Sequence, residues 1–137
     1  MTSNSCSDGG EGAGEETGEL PGKRVLIVED DPFLSLDLEE MIAEAGALVV
    51  GRAPSIEAAL DLLDKIRPDA ALLDLNLRGD RATPVALALK SAGIPFCLTS
   101  GYSRSQIDEP LLDDVPLVAK PVQPKLLIAA LRKLLKD

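Results

Sequence analysis

Five short apolar runs punctuate this chain, and four of them end in a reactive side chain. Val25–Val28 runs into Glu29 and Asp30, Ala70–Leu73 into Asp74, Phe96–Thr99 into Ser100, and Pro116–Ala119 into Lys120. Leu48–Ala53 is the fifth run. Short stretches that are apolar on both faces are the mark of buried parallel strands. Amphipathic segments lie between them, the alternation expected of a parallel sheet covered by helices. Ligand sites of such open sheets lie beyond the carboxyl ends of the strands. The pattern therefore predicts that three carboxylates, a hydroxyl and an ammonium gather at one edge. Such a set suits binding of a divalent cation and acceptance of a phosphoryl group.

The intervening segments carry helix punctuation. Asp31 before Pro32 reads as an N-cap followed by a first-turn proline, with an apolar stripe of Leu34, Leu38, Met41, Ile42 and Ala45 and a stop at Gly46. Ser55–Arg67 is a second helix with Ile56, Ala59, Leu60, Leu63 and Ile66 on one side, halted before Pro68. Thr83–Pro84 is expected to cap and open a third helix running to about Ala92, after a loop containing Arg78, Gly79 and Asp80. Pro124–Lys136 closes the chain, with Leu127, Ala130, Leu131 and Leu134 inward and Lys133 and Lys136 in its last turn. Residues 101–115 hold Gly101, Pro110 and several acids, and predict one short, poorly anchored helix at most. Right-handed crossovers then give an α/β three-layer sandwich, and of the two common doubly wound orders the five-stranded, flavodoxin-like parallel sheet of order 2-1-3-4-5 fits this length. The first and third strands meet at its switch point and carry Glu29, Asp30 and Asp74.

Composition narrows the chemistry. The chain has no histidine, which removes imidazole zinc sites, Ser-His-Asp catalysis and any role as a phosphohistidine carrier. Phosphoryl chemistry here must use oxygen nucleophiles and a hard cation such as Mg²⁺. Residues 1–22 contain no Lys or Arg and one sizeable aliphatic after Met1, Leu20; they read as a disordered acidic Gly/Glu/Ser tail, with 23–137 as the folded domain. Asp8, Glu11, Glu15, Glu16 and Glu19 supply five of the nine net negative charges, leaving the rest mildly acidic. No basic patch suggests nucleic-acid binding, and no apolar stretch is long enough to cross a bilayer. A soluble cytoplasmic protein is expected. Cys6 and Cys97 form neither a disulfide framework nor a metal motif.

The strand-end motifs V-L-I-V-E-D-D-P (25–32), A-L-L-D-L-N-L (71–77), T-S-G-Y (99–102) and A-K-P (119–121) resemble those of response-regulator receiver domains of two-component signalling. The resemblance covers residues 23–137. The T-S-G-Y run is similar to that of single-domain receivers with a Thr/Ser-Gly-Tyr motif after the fourth strand. The resemblance implies that Asp74 is the phosphoacceptor, that Glu29 and Asp30 form the acidic pair, and that Mg²⁺ is held by Glu29, Asp30, Asp74 and the Asn76 carbonyl. It makes Ser100 the conserved hydroxyl, with Thr99 as a competitor, and Lys120 the conserved ammonium before a cis Pro121. It also implies a stand-alone domain phosphorylated by a sensor histidine kinase or a His-containing phosphotransfer protein. Such a domain signals by conformational change, or acts as a relay or phosphate sink toward a downstream protein.

Blander readings exist for each motif alone: Asp30 and Asp31 as helix caps, Asp74 and Ser100–Gly101 as turns, Lys120–Pro121 as a strand terminus. Their coincidence at four strand ends favours function. Two other classes stay open. One is a degenerate receiver acting as a phosphorylation-independent interaction module. The other is an aspartyl-nucleophile phosphatase, which commonly needs a second acid where Asn76 stands. The chain departs from the family pattern at Leu117, where receivers commonly carry an aromatic switch residue. An ordering of 101–115 upon phosphorylation is the expected substitute.

Overall fold

A computed structural model describes residues 20–135. Most of the expected tail, and Lys136, lie outside the described residues.

Alternation within each strand splits the core in two. In β1 (Arg24–Val28), Val25 and Ile27 pack on one face of the sheet while Leu26 and Val28 pack on the other. The first face is covered by α1 (Pro32–Glu44) and α4 (Pro124–Leu135), through Leu38, Ile42, Leu127 and Leu131. The second is covered by α2 (Ile56–Lys65) and α3 (Thr83–Ala92), through Ala59, Val85, Ala86 and Leu89. With β2 (Leu48–Ala53), β3 (Ala70–Asp74), β4 (Phe96–Ser100) and β5 (Leu117–Ala119), the sheet runs β2-β1-β3-β4-β5, parallel throughout. This is the expected flavodoxin-like order, and it sets β1 beside β3.

Several boundaries move for identifiable reasons. Leu20 belongs to the packed domain and not to a tail: it is 1% exposed, and the Gly22 N–H donates to the Gly46 carbonyl at 3.0 Å. Leu20 fills the core against the α1/α4 face, so the folded unit begins before residue 23. Replacing Leu20 by Ala should therefore cost about 2–5 kcal/mol, the range for truncating a buried leucine. Urea denaturation measures this; an unchanged midpoint would return Leu20 to the tail. In α2, Ser55 is the N-cap, its hydroxyl accepting from the Ala58 N–H at 3.1 Å, and Leu62 packs on the core where Leu60 was expected. The helix ends at Lys65 because Arg67 precedes Pro68 and the chain turns extended at Ile66. Thr83 does not cap α3: the N-cap is Ala82, with no side-chain cap bond, and Thr83 is already helical.

Residues 101–115 hold no α-helix. Two single 3₁₀ turns, Arg104–Gln106 and Pro110–Leu112, make this crossover. It is nonetheless anchored, because Ile107, Leu112 and Val115 are buried. The Arg104 guanidinium donates to the carbonyls of Leu112 and Val115, closing the segment on itself. Four helices therefore flank five strands. A further feature escaped the sequence: Asn76–Leu77 and Asp80–Arg81 pair as a two-residue antiparallel hairpin directly after β3.

Candidate functional site

The sheet order gathers the strand-end residues as their positions imply. β1 stops at Val28, and Glu29 and Asp30 follow in the β1–α1 loop; Asp74 ends β3; Ser100 ends β4; Lys120 follows β5. Carboxylate oxygens of Glu29, Asp30 and Asp74 lie within 4.8 Å of one another. Lys120 Nζ donates to Asp74 Oδ2 at 3.1 Å and stands 3.2 Å from Glu29 Oε1. Glu29 and Asp74 are buried, while Lys120 keeps a partly open side chain. The peptide bond between Lys120 and Pro121 is cis, as the sequence comparison implied.

Short-range hydrogen bonds hold this group. The Asp31 N–H donates to Glu29 Oε2 at 3.1 Å, and the Asp31 side chain caps α1 by accepting from the Phe33 and Leu34 amides. Asp31 thus serves the helix, leaving Glu29 and Asp30 to the cluster. The Asn76 N–H donates to Asp74 Oδ1 at 3.3 Å. The hairpin tip reaches across, the Arg78 N–H donating to Asp30 Oδ2 at 2.9 Å. Sequence reasoning missed Arg78 as part of the site. The only available signal was the Arg78–Gly79 pair between Leu77 and Asp80, which resembles an ordinary loop. Ser100 sits at the neighbouring strand end, with its hydroxyl accepting from the Tyr102 N–H at 2.9 Å. Thr99, the competitor, is 1% exposed within β4 and opposite Asp74 in register.

Three acids against one ammonium leave the cluster short of positive charge. Burial, reinforced by the Asp74 charge, pushes the Glu29 carboxyl up to about 7, against the Asp31 amide and Lys120. Burial opposes ionisation of Asp30 too, but the Arg78 amide and further hydrogen bonds outweigh it and hold that carboxyl below its ordinary value. Lys120 is raised above its ordinary value, because the Asp74 and Glu29 carboxylates outweigh its burial. Buried Glu29 Oε1 has no hydrogen-bond partner and meets the ammonium as an ion pair at 3.2 Å. A buried carboxylate oxygen held only by an ion pair, among oxygen donors and excess negative charge, fits a hard divalent cation or its coordinated water. Beside Asp30 opens a cleft of about 500 Å³, lined in part by Glu29, Asp30 and Arg78.

The Glu29 shift has a sign that can be measured. A carboxyl raised in the folded state stabilises the fold while protonated; that contribution is complete below 4.5 and is lost as pH rises through about 7. Glu29→Gln stays neutral throughout. In metal-free buffer, wild type should lose stability relative to the variant across that window in chemical melts. Parallel stability curves would contradict the burial argument.

The family model for the response regulator receiver domain matches residues 25–132. This chain belongs to the response-regulator receiver family. The receiver is similar to the chemotaxis protein CheY of Thermotoga maritima, 29% identical over 119 residues, covering 84% of this chain and 99% of that one. Among solved structures it is similar to SdrG from Pseudomonas melonis Fr1 in a BeF3-activated conformation. There the identity is 36% and the TM-score 0.71, with 82% and 95% of the two chains covered. It is also similar to the anti-anti-sigma factor PhyR from Bartonella quintana, with 26% identity and a TM-score of 0.72. That match covers 83% of this receiver and 47% of PhyR, so the chain spans about half the length of that relative. Receivers generally bind Mg²⁺ in an acidic pocket, and the acidic pocket here is Glu29, Asp30 and Asp74. Among the described residues, no helix of this receiver is long and apolar enough to cross a membrane.

Proposed function

We propose that this receiver accepts a phosphoryl group on Asp74 from a phosphohistidine of a sensor kinase or phosphotransfer protein, in a Mg²⁺-dependent reaction. The observation that carries this reading is the meeting of Asp74, Glu29, Asp30 and Lys120 from three strand ends around an oxygen with no hydrogen-bond partner. The residues to hold the cation are Glu29, Asp30, Asp74 and the Asn76 carbonyl. When bound, Mg²⁺ supplies positive charge to the carboxylates and to the incoming phosphoryl oxygens. Asp74 is the nucleophile, with one oxygen steadied by the Asn76 amide and the other by Lys120. Lys120 moves with the charge, from the carboxylate to a phosphoryl oxygen. The Ser100 hydroxyl gives up its bond from the Tyr102 amide to reach another, and this displacement pulls on residues 101–115. Transfer of this kind depends on positioning and charge neutralisation more than on covalent chemistry by the protein. The chain turns over no substrate in this scheme; it is a signalling domain that changes its own phosphorylation state.

Similarity to a relative with a BeF3-activated conformation supports the phosphoryl reading. Similarity to an anti-anti-sigma factor favours a second one, a module that binds a regulatory protein whether or not Asp74 is modified. Intact mass measurement separates them. In Mg²⁺ with a small acyl phosphate or phosphoramidate donor, the protein should gain one phosphoryl group; in chelator it should gain none. No gain in Mg²⁺, with the fold intact, would leave the binding module as the surviving reading.

A further inference from the structure

The hairpin after β3 ends in a turn whose two central residues both have positive φ, Arg78 at 52° and Gly79 at 88°. That is the pattern of a type I′ turn, the natural closure of a two-residue hairpin loop. Glycine enters this region freely, whereas an arginine there is strained and persists only where its surroundings determine it. What surrounds the Arg78 backbone is Asp30, 48 residues away in the chain: the Arg78 N–H donates to Oδ2 at 2.9 Å. The base of the hairpin is fixed independently, with Leu75, Leu77 and Ala82 buried and the Ala82 N–H donating to the Leu75 carbonyl at 2.8 Å. The same loop starts two residues from Asp74, whose Oδ1 accepts from the Asn76 N–H. One rigid turn thus contacts both the β1–α1 and the β3 side of the acidic cluster.

We propose that the Arg78 backbone amide, presented by this hairpin, is a positioning group for the metal site: it holds Oδ2 of Asp30 and so fixes the orientation of the carboxylate that would ligate the cation. The inference rests on the reading of Asp30 as a Mg²⁺ ligand and adds a residue whose side chain plays no part. Carboxylates that ligate metals are oriented by hydrogen bonds of this sort, and losing such a partner typically costs about 10–100-fold in metal affinity. The device is carried by backbone conformation, so its sensitivity lies at Gly79 and not at the arginine side chain. A Cβ on Gly79 meets nothing within 4 Å, so a side chain there acts only through the positive φ it opposes.

The test measures Mg²⁺ affinity by titration calorimetry on the unphosphorylated full chain, with no phosphodonor present. Arg81→Lys, an exposed change on the paired arm of the hairpin, keeps the charge and the turn; it should bind Mg²⁺ within about twofold of wild type. Gly79→Val displaces the amide and should weaken binding by about tenfold or more, the low end of the range for lost orienting partners. Equal affinity of Gly79→Val and wild type, or equal loss in Arg81→Lys, would overturn the proposal. Amide hydrogen exchange by NMR supplies a readout independent of metal. The Arg78 amide should be protected in wild type and exposed in Asp30→Ala, while the Ala82 amide stays protected in both. Unchanged exchange at Arg78 would equally overturn it. Absence of any Mg²⁺ binding by wild type is a different outcome, refuting the reading of the site on which this inference stands.

Discussion

Asp74→Asn is expected to take up no phosphoryl group under conditions that load the wild-type protein. The substitution preserves shape closely: an amide oxygen can still accept from the Asn76 N–H at the position of Oδ1, and β3 keeps its register with β1 and β4. What is lost is the anionic oxygen that attacks phosphorus, and a carboxamide oxygen is far too weak a nucleophile to replace it. Lys120 retains Glu29 as a counter-charge, and one like-charge contact between Asp74 and Glu29 disappears. The variant should therefore fold normally, so that its inertness reports chemistry. Intact mass spectrometry of both proteins with the same donor and Mg²⁺ reads the effect directly. Equal uptake by the variant would place the acceptor elsewhere.

Lys120→Met should produce two effects of opposite sign. In the resting protein the ammonium lies between Asp74 and Glu29, at 3.1 Å and 3.2 Å, competing with any cation for the same oxygens. Removing it leaves three acids with no internal counter-charge, so Mg²⁺ should bind more tightly than in wild type. Phosphoryl uptake should slow nonetheless, because charge developing on the phosphoryl oxygens loses a fixed donor. The loss of one such donor costs about 10²–10³ in rate where enzymes stabilise developing charge in this way. Methionine retains most of the aliphatic stem, which limits the damage to packing. Calorimetry for the metal and a time course of mass gain check the two halves. A variant that binds Mg²⁺ more weakly and also loads slowly would indicate collapse of the pocket and not removal of a charge.

The parts of this site visible in the sequence share one property. Glu29, Asp30, Asp74, Ser100 and Lys120 each follow an apolar run, and the end of such a run is the end of a buried strand. Once the sheet is taken as doubly wound in the order that fits five strands, their convergence follows from topology. The residues that stayed hidden lack that marker. Leu20 is one aliphatic in a polar stretch, and its burial depends on the long-range contact of Gly22 with Gly46. The Asn76–Arg81 hairpin has strands of two residues, too short for any periodicity, and its turn puts an arginine where Asn or Gly would announce a type I′ bend. Residues 101–115 contain the three buried anchors Ile107, Leu112 and Val115, but their spacing fits neither a helix nor a strand. Their backbone is instead closed by Arg104 on the Leu112 and Val115 carbonyls, a side-chain solution that no local propensity encodes.

That anchoring bears on signalling. In the proposed scheme, a phosphoryl group that drew the Ser100 hydroxyl away from the Tyr102 amide would act on a crossover already pinned at three points. Reorganisation of 101–115 must then proceed by rearranging a packed segment, and Leu117 supplies no aromatic ring to swing inward. The exposed Tyr102, stacked against the Arg81 guanidinium 5.7 Å from its ring centroid, is the aromatic group nearest to that hydroxyl in sequence.

A carboxylate at the end of β3, and no hydroxyl nearby, should receive the phosphoryl group. Peptide mapping of the loaded wild-type protein by tandem mass spectrometry, with a hydroxylamine-treated control, tests it most directly. The group should lie on the peptide containing Asp74 and be released by hydroxylamine, as an acyl phosphate is. A hydroxylamine-stable phosphate on Ser100, Thr99 or Tyr102 would contradict it.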